Sequence, residues 1–503
     1  MKQKSRSKKA YLNSLTGLTY EFITIICSMI LLKLILQTFG SNYNGITQSI
    51  NQFLSFVTLL HAGVGAVTKA ALYKPLAEDN KIQISRIMRA TEIFMHRVAL
   101  IFAVGLILLA TIYPFLVNDE FEWIFTASLV IIIGFGTFVQ YYFGITYRML
   151  LEADQTQFII SIISVATTIA NVSIAAVLIK MGFGIHVVKL GSAIVFAINT
   201  IAINIIVRKN YQIDRKVEPN NSAIKQRWDA FAQQVAMMIR DNTDIVILTV
   251  FSNTLEISVY SVFFMIIKSI NGILRAFTNG IGAAFGNMLA KNETELIKKN
   301  LRIYEQLVFS LSVILYSATC VLITPFVMVY TSGVTDVNYN RPVFGYVLAF
   351  AYFFFCIRIP YQNIVEVAGH FKRTKRGAYV ESAINLFSSI ILVLKFGIVG
   401  VAVGTLLSMF VRTIHYAFYV AKNLVLRKNA EFLKKLIISL INMVLIILVC
   451  NFVPLPKITS YFTWVISGFL VFITACIITL IFNWVFYREE LTQFMKMLAA
   501  VIK

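Results

Sequence analysis

Apolar residues run in long blocks along this chain, and short polar tethers separate them. Fourteen blocks can be drawn, at 14–38, 46–68, 94–117, 124–148, 158–180, 186–208, 228–250, 257–288, 303–330, 343–367, 378–395, 398–421, 433–452 and 461–487. As helices rising about 1.5 Å per residue, blocks of this length cross a hydrocarbon core of roughly 30 Å. The longest tether, 209–227, has nineteen residues, which leaves no room for a sizeable domain outside the bilayer. The pattern predicts an all-α polytopic membrane protein with 14 transmembrane helices.

The blocks repeat. Tyr113–Phe115 (YPF) matches Thr324–Phe326 (TPF), and LAED at 76 matches LAKN at 289. ANVSIAAVLIKMG (170–182) aligns with INLFSSIILVLKFG (384–397), placing Asn171 on Asn385 and Lys180 on Lys395. Gly191-Ser192 falls on Gly404-Thr405, and AGVG (62–65) resembles NGIG (279–282). Composition alone makes apolar helices look alike, but matched polar and glycine positions at offsets of 211 to 217 argue for duplication. The chain therefore reads as a basic tail (1–13), a first lobe of six spans (14–208), a linker (209–227) and a second lobe (228–421). Two appended spans (433–487) and a tail (488–503) follow. Six spans per repeat is even, so both lobes enter the membrane in one direction. An axis along the membrane normal then relates them, a plan that recurs in secondary transporters with the substrate path between the halves.

Charge sets the orientation. With both ends inside, the inner tethers carry 33 Lys and Arg, the outer ones 5 (Lys180, Lys189, Arg341, Lys395, Lys457), and seven lie within spans. The positive-inside bias thus places both termini in the cytoplasm. Only 14% of residues are charged, against about 25% in a soluble protein. The net charge of +21 sits in tethers, not on a soluble face, so nucleic acid is not an expected partner. Five cysteines (Cys27, Cys320, Cys356, Cys450, Cys476) lie inside apolar blocks without metal-ligand spacing or a disulfide pattern. No metal site and no cofactor are expected.

The seven intramembrane cations are Lys33, Arg97, Arg240, Lys268, Arg275, Arg358 and Arg412. Each costs about 2.5–3.5 kcal/mol at mid-depth unless it meets water or an acid. Arg97 is one turn from the inner end and can snorkel. Lys33 and Arg412 divide evenly between snorkelling and lining a cavity. Arg240, Arg275 and Arg358 are too central to snorkel easily, and Lys268 lies in the outer half of its span. On span 8, Lys268, Asn271, Arg275 and Asn279 recur at three and four residues and share one helix face. On span 7, Gln233, Met237, Arg240, Asp241 and Asp244 do the same, and Arg240 and Asp244 can pair as i,i+4 neighbours. Span 2 offers Gln48, Asn51, Gln52, Ser55 and His61, and span 1 offers Glu21, Thr24 and Ser28. These four helices are repeat mates, which suggests one central cavity. Its net positive sign suits an anionic substrate, because arginine presents a planar fork of donors to phosphate oxygens. Asp241 and Asp244 are candidates for a coupling proton or sodium ion. A structural pair with Arg240 is the simpler account, especially of Asp244.

Several segments resemble one known family. GSNYNGITQSINQFLSFVTLLHAGVGAVTKAALYKP (40–75), YYFGITYRMLLEADQTQFI (141–159) and NTDIVILTVFSNTLEISVYSVFFMI (242–266) are similar to stretches of the bacterial polysaccharide flippases. So is AGHFKRTKRGAYVESAINLFSSIILVLKFGIVGVAVGTLL (368–407). These belong to the multidrug/oligosaccharidyl-lipid/polysaccharide exporter (MOP) superfamily. The resemblance implies two six-helix lobes working by alternating access in the bacterial cytoplasmic membrane. It also implies a cargo of lipid-linked oligosaccharide on a polyprenyl diphosphate, with membrane lipids and other polysaccharide-assembly proteins as partners. By the same resemblance, Lys33, Arg240, Lys268, Arg275 and Arg358 would hold the anionic head group. Fourteen spans also resemble the lipid II flippase branch. A cation-coupled drug exporter would share the fold but would want unpaired carboxylates in its cavity. A membrane-embedded glycan polymerase would want a large outer loop with catalytic groups. The longest outer tether has about a dozen residues (331–342), and no such set is present.

Overall fold

The computed structural model describes residues 6–58, 62–117, 120–224, 243–278, 285, 288, 293–452 and 455–493. Among them the regular structure is all helical, with no strand. Eleven helices are long and apolar enough to cross a membrane. The chain divides into two compact units, Met1–Ser258 and Val259–Lys503.

In the first unit, α1 (Arg6–Phe39) packs along α7 (Gln157–Lys180), which pairs with α8 (Ile185–Asn210). The helices α2 (Ser41–Thr58), α3 (Ala62–Ala77), α4 (Lys81–Ile112), α5 (Trp123–Val139) and α6 (Ile145–Ala153) complete it. Ile46, Ile50, Met95, Phe102, Leu129 and Tyr141 meet in their core. A second cluster, from Leu72 and Ile87 to Leu150 and Val207, ties the opposite ends of α3, α4, α6 and α8 together. A helical segment at 243–251, here α9, also belongs to this unit.

The helix α10 (Thr254–Thr278) leads into the second unit. There α11 (Thr294–Tyr330) packs against α12 (Pro342–Ile357), α15 (Asn429–Phe452) and α16 (Tyr461–Phe486), and α12 packs against the long helical stretch α14 (Phe371–Val420). Most bilayer-length helices keep large apolar side chains exposed, such as Leu108, Phe387 and Phe469, as a lipid-facing surface requires.

The eleven helices map onto the fourteen predicted blocks with three differences. Block 2 falls on α2 and α3, which flank residues 59–61, outside the described residues. Most of block 7 (228–242) also lies outside them. Blocks 11 and 12 form one apolar stretch, Arg373–Val425, of 53 residues. That stretch is a hairpin. Asn385 Nδ2 donates to Thr405 Oγ1 at 3.1 Å, although twenty residues of straight helix would separate them by about 30 Å. Gly397 makes the reversal, with φ 54° and ψ −135°.

The two hairpins turn alike. Gly182, its mate, also has positive φ (80°) and ends the first hairpin between α7 and α8. A second correspondence went unread in the sequence. The span formed by α5 and α6 is broken by a π-helical turn at Gln140–Gly144. The span formed by α12 and α13 (Ile359–Val367) is broken at Arg358, where Pro360 removes a backbone donor. An offset of 213 carries Gly144 onto Ile357.

No atom lies within 4 Å of a Cβ added at Gly397, so Gly397→Ala is penalised by backbone strain alone, about 1–3 kcal/mol. We expect it to lower the melting temperature of the detergent-purified protein. Gly17→Ala, at an equally open but helical position, should leave the melting temperature unchanged or raise it.

Candidate functional site

Two cations of the second unit meet at one ring, that of Phe355 near the end of α12. The Arg358 guanidinium lies 4.4 Å from its centroid and that of Arg275, on α10, 5.2 Å from it. Arg275 Nε donates to Asn271 Oδ1 at 3.4 Å, one turn back on the same face. Asn271 Oδ1 also accepts a long contact from Cys356 Sγ at 3.9 Å. Lys268 is a further turn back. Lys268 and Arg275 are exposed, Asn271 is half-buried, and neither cation has an acidic partner among the described residues. Sequence spacing thus brings Lys268, Asn271 and Arg275 together as a stripe, while Asn279 lies outside the described residues.

Arg358 and Arg412 stand differently. Arg358 is fully buried and donates from Nη1 to Glu381 Oε1 at 2.6 Å. Arg412 Nε lies 3.4 Å from Glu381 Oε2, so one carboxylate serves two guanidiniums. Arg412 further donates to the Thr374 carbonyl (3.1 Å) and to Tyr416 Oη (2.8 Å). Gly377 leaves space for it, since a Cβ there would sit 2.1 Å from Arg412 Nη1. Nε and Nη2 of Arg358 have no hydrogen-bond partner among the described residues. This buried trio carries one surplus positive charge behind the Phe355 ring. The sequence reading did not find Glu381 as the partner. Thr374, Gly377 and Glu381 do lie on one helix face at spacings of three and four, a signal that was available.

In the first unit, Lys33 on α1 and Asp244 on α9 are half-buried, and each has an interaction partner. Arg240, Asp241, Gln233 and His61 lie outside the described residues. The polar positions of α2 do something unforeseen: they bind the segment 249–258. Ser49 and Thr249 share a hydrogen bond of 2.7 Å, Asn44 donates to Ser258 Oγ at 2.8 Å, and Thr254 Oγ1 donates to Asn42 Oδ1 at 2.9 Å. The Glu120 carboxylate accepts the Thr254 amide at 3.1 Å and also bonds its hydroxyl. Gly45 permits this approach, because a Cβ there would lie 1.8 Å from the Thr254 carbonyl oxygen. Ser49, Ser258 and Thr254 are all buried while Glu120 is exposed, so this is a polar seal buried at its centre and open at one edge.

Comparison with solved structures gives this arrangement relatives. A lipid II flippase, MurJ, in an inward closed conformation superposes with a TM-score of 0.73 at 15% identity, over 96% of this chain and all of that one. The chain has the fold of the MOP superfamily. A multidrug resistance MATE family transporter of that superfamily, in an inward-facing conformation, gives 0.57 at 13% identity, covering 82% of this chain and 98% of its own. The eukaryotic MATE transporter AtDTX14 gives 0.57 at 15%, over 82% and 95%. No protein-family model and no curated protein sequence matches. The superfamily that the sequence segments resemble is therefore the one whose fold is observed. Within that fold, α10 is long and apolar enough to cross a membrane and exposes two cations, Lys268 and Arg275.

Proposed function

We propose that this chain flips a polyprenyl-diphosphate-linked oligosaccharide from the inner to the outer leaflet of the bacterial cytoplasmic membrane, for surface or exopolysaccharide assembly. One observation carries the reading: two exposed cations, Lys268 and Arg275, lie on a bilayer-length helix with no acid beside them among the described residues. Facing lipid they would be costly; facing a watery path they offer a fork and a point charge to a diphosphate. In this reading Lys268, Asn271 and Arg275 contact the head group, with Lys33 and Arg240 as further contacts. Arg358 and Arg412 add their surplus charge from behind the Phe355 ring. The isoprenoid tail stays in the bilayer. Fourteen spans with both termini inside complete the proposal. The MATE transporters leave 18% of the chain uncovered and the lipid II flippase leaves 4%, as two extra helices in this chain would produce. The head group must bind differently in the inward and outward states for net movement, and a proton or sodium ion on Asp241 or Asp244 would supply that difference.

The test is flipping of a lipid-diphosphate sugar by the protein in proteoliposomes. Charge-assisted hydrogen bonds contribute about 1.5–3 kcal/mol each, so Lys268→Ala/Arg275→Ala should slow flipping at least about a hundredfold. An unchanged rate would reject the role of the stripe. The likeness to MATE transporters supports a second reading, a cation-coupled drug exporter. Drug hypersensitivity of a deletion strain, with polysaccharide assembly intact, would favour it.

A further inference from the structure

A second cationic site lies in the second unit, away from the Phe355 cluster. A cavity of about 880 Å³ opens between the start of α11, the turn after α14, the start of α15 and residues 489–493 after α16. Its walls carry Lys298, Lys299, Arg302, Lys422, Arg427 and Lys428 against four glutamates, an excess of two positive charges.

Two of the glutamates are spent. Glu295 holds Lys298 at 2.7 Å, and Glu431 holds Arg302 at 3.2 Å. Lys299, Lys422 and Lys428 form no ion pair among the described residues. The base of the cavity is built rather than incidental. Arg427 is only 6% exposed, lines the cavity, and leaves its Nε without a hydrogen-bond partner among the described residues. Its two Nη groups bond Glu305, which also lies 3.6 Å from Lys435 Nζ. That buried trio fixes the turn carrying Leu426, at φ 53°, and so fixes where Lys422 and Lys428 are held.

We infer that this cavity binds a phosphate-bearing head group. The phosphate sits among Lys299, Lys422 and Lys428, and hydroxyl or ammonium groups of the same molecule donate to Glu489 and Glu490. By the charge bias these helix ends are cytoplasmic, where basic pockets between helices meet anionic lipid head groups. A lipid and a soluble phosphate ester share this chemistry, and the test separates them.

Native mass spectrometry of the full chain, released from detergent, would be run with phosphatidylglycerol, diacylglycerol and glycerol phosphate as probes. Phosphatidylglycerol should bind and diacylglycerol should not. Lys299→Gln/Lys422→Gln/Lys428→Gln should weaken phosphatidylglycerol at least about tenfold, since each lysine contributes substantially to such binding. Arg208→Gln/Lys209→Gln/Lys216→Gln removes the same charge from the inner end of α8 and the tether beyond it, and should change binding less than about twofold. If glycerol phosphate binds as well as the lipid and is lost in the site variant, the ligand is soluble. If it fails to bind while the lipid is retained, the ligand is a membrane lipid. Equal weakening in both variants, or none in the site variant, overturns the proposal.

Discussion

Oxidising the Ser49→Cys/Thr249→Cys double variant should reduce flipping to background, and reductant should restore it. The two hydroxyls are 2.7 Å apart, a separation that suits replacement by a disulfide with its short Cβ–Cβ span. What makes the effect large is the surrounding seal. Asn42, Asn44, Gly45 and Glu120 all bind the 249–258 segment, and in the proposed lobe plan they belong to the first repeat while the segment belongs to the second. On the side that the charge bias assigns to the outside, these bonds would have to open for a head group to leave. Hydrogen bonds of this kind contribute only about 0.5–1.5 kcal/mol each when water can replace them, so the seal is breakable. A covalent link is not. Either single variant should flip at a near wild-type rate. Wild-type flipping by the fully cross-linked protein would mean that these segments stay together throughout the cycle.

Glu381→Ala should strongly destabilise the second unit. It leaves Arg358 and Arg412 buried with no carboxylate between them. Removing one partner of a buried ion pair costs about 3–5 kcal/mol, because the remaining charge is uncompensated. Two guanidiniums are stranded here, and the hydrogen bonds of Arg412 to Thr374 and Tyr416 offset only part of the loss. The variant should express poorly and melt well below the wild type. Replacing the whole trio, as Arg358→Met/Glu381→Leu/Arg412→Met, should recover most of the stability, since apolar replacements of buried ion groups are often near neutral. A stable, fully folded Glu381→Ala protein would show that water reaches the two arginines. The triple variant then carries functional information: if it folds but flips slowly, the surplus charge behind Phe355 contributes to transport.

The helices were legible because burial in lipid writes itself as unbroken apolar runs, and the hairpin at Gly397 because Lys-x-Gly recurs at both turns. The stripe of Lys268, Asn271 and Arg275 was legible from helical spacing. Other features left weaker marks. The break at Gln140–Gly144 lies in apolar sequence with no proline, and only its mate carries Pro360. Arg358 and Glu381 are 23 residues apart on different helices, so no periodicity joins them. The seal is made of serine, threonine and asparagine, which any membrane helix tolerates, so composition does not single them out. Of the four central cations predicted to face one cavity, Arg358 has an acid, and Lys268 and Arg275 have none among the described residues. Arg240 lies outside those residues.

The central claim is that the exposed cations of α10 recognise the diphosphate itself. Equilibrium binding to the purified protein in nanodiscs tests it, comparing a short-chain polyprenyl-diphosphate sugar with the same polyprenyl sugar lacking phosphate. The account predicts that the charged ligand binds at least about tenfold tighter, and that Lys268→Ala/Arg275→Ala erases this preference. Equal affinity for the two ligands in the wild-type protein would contradict it.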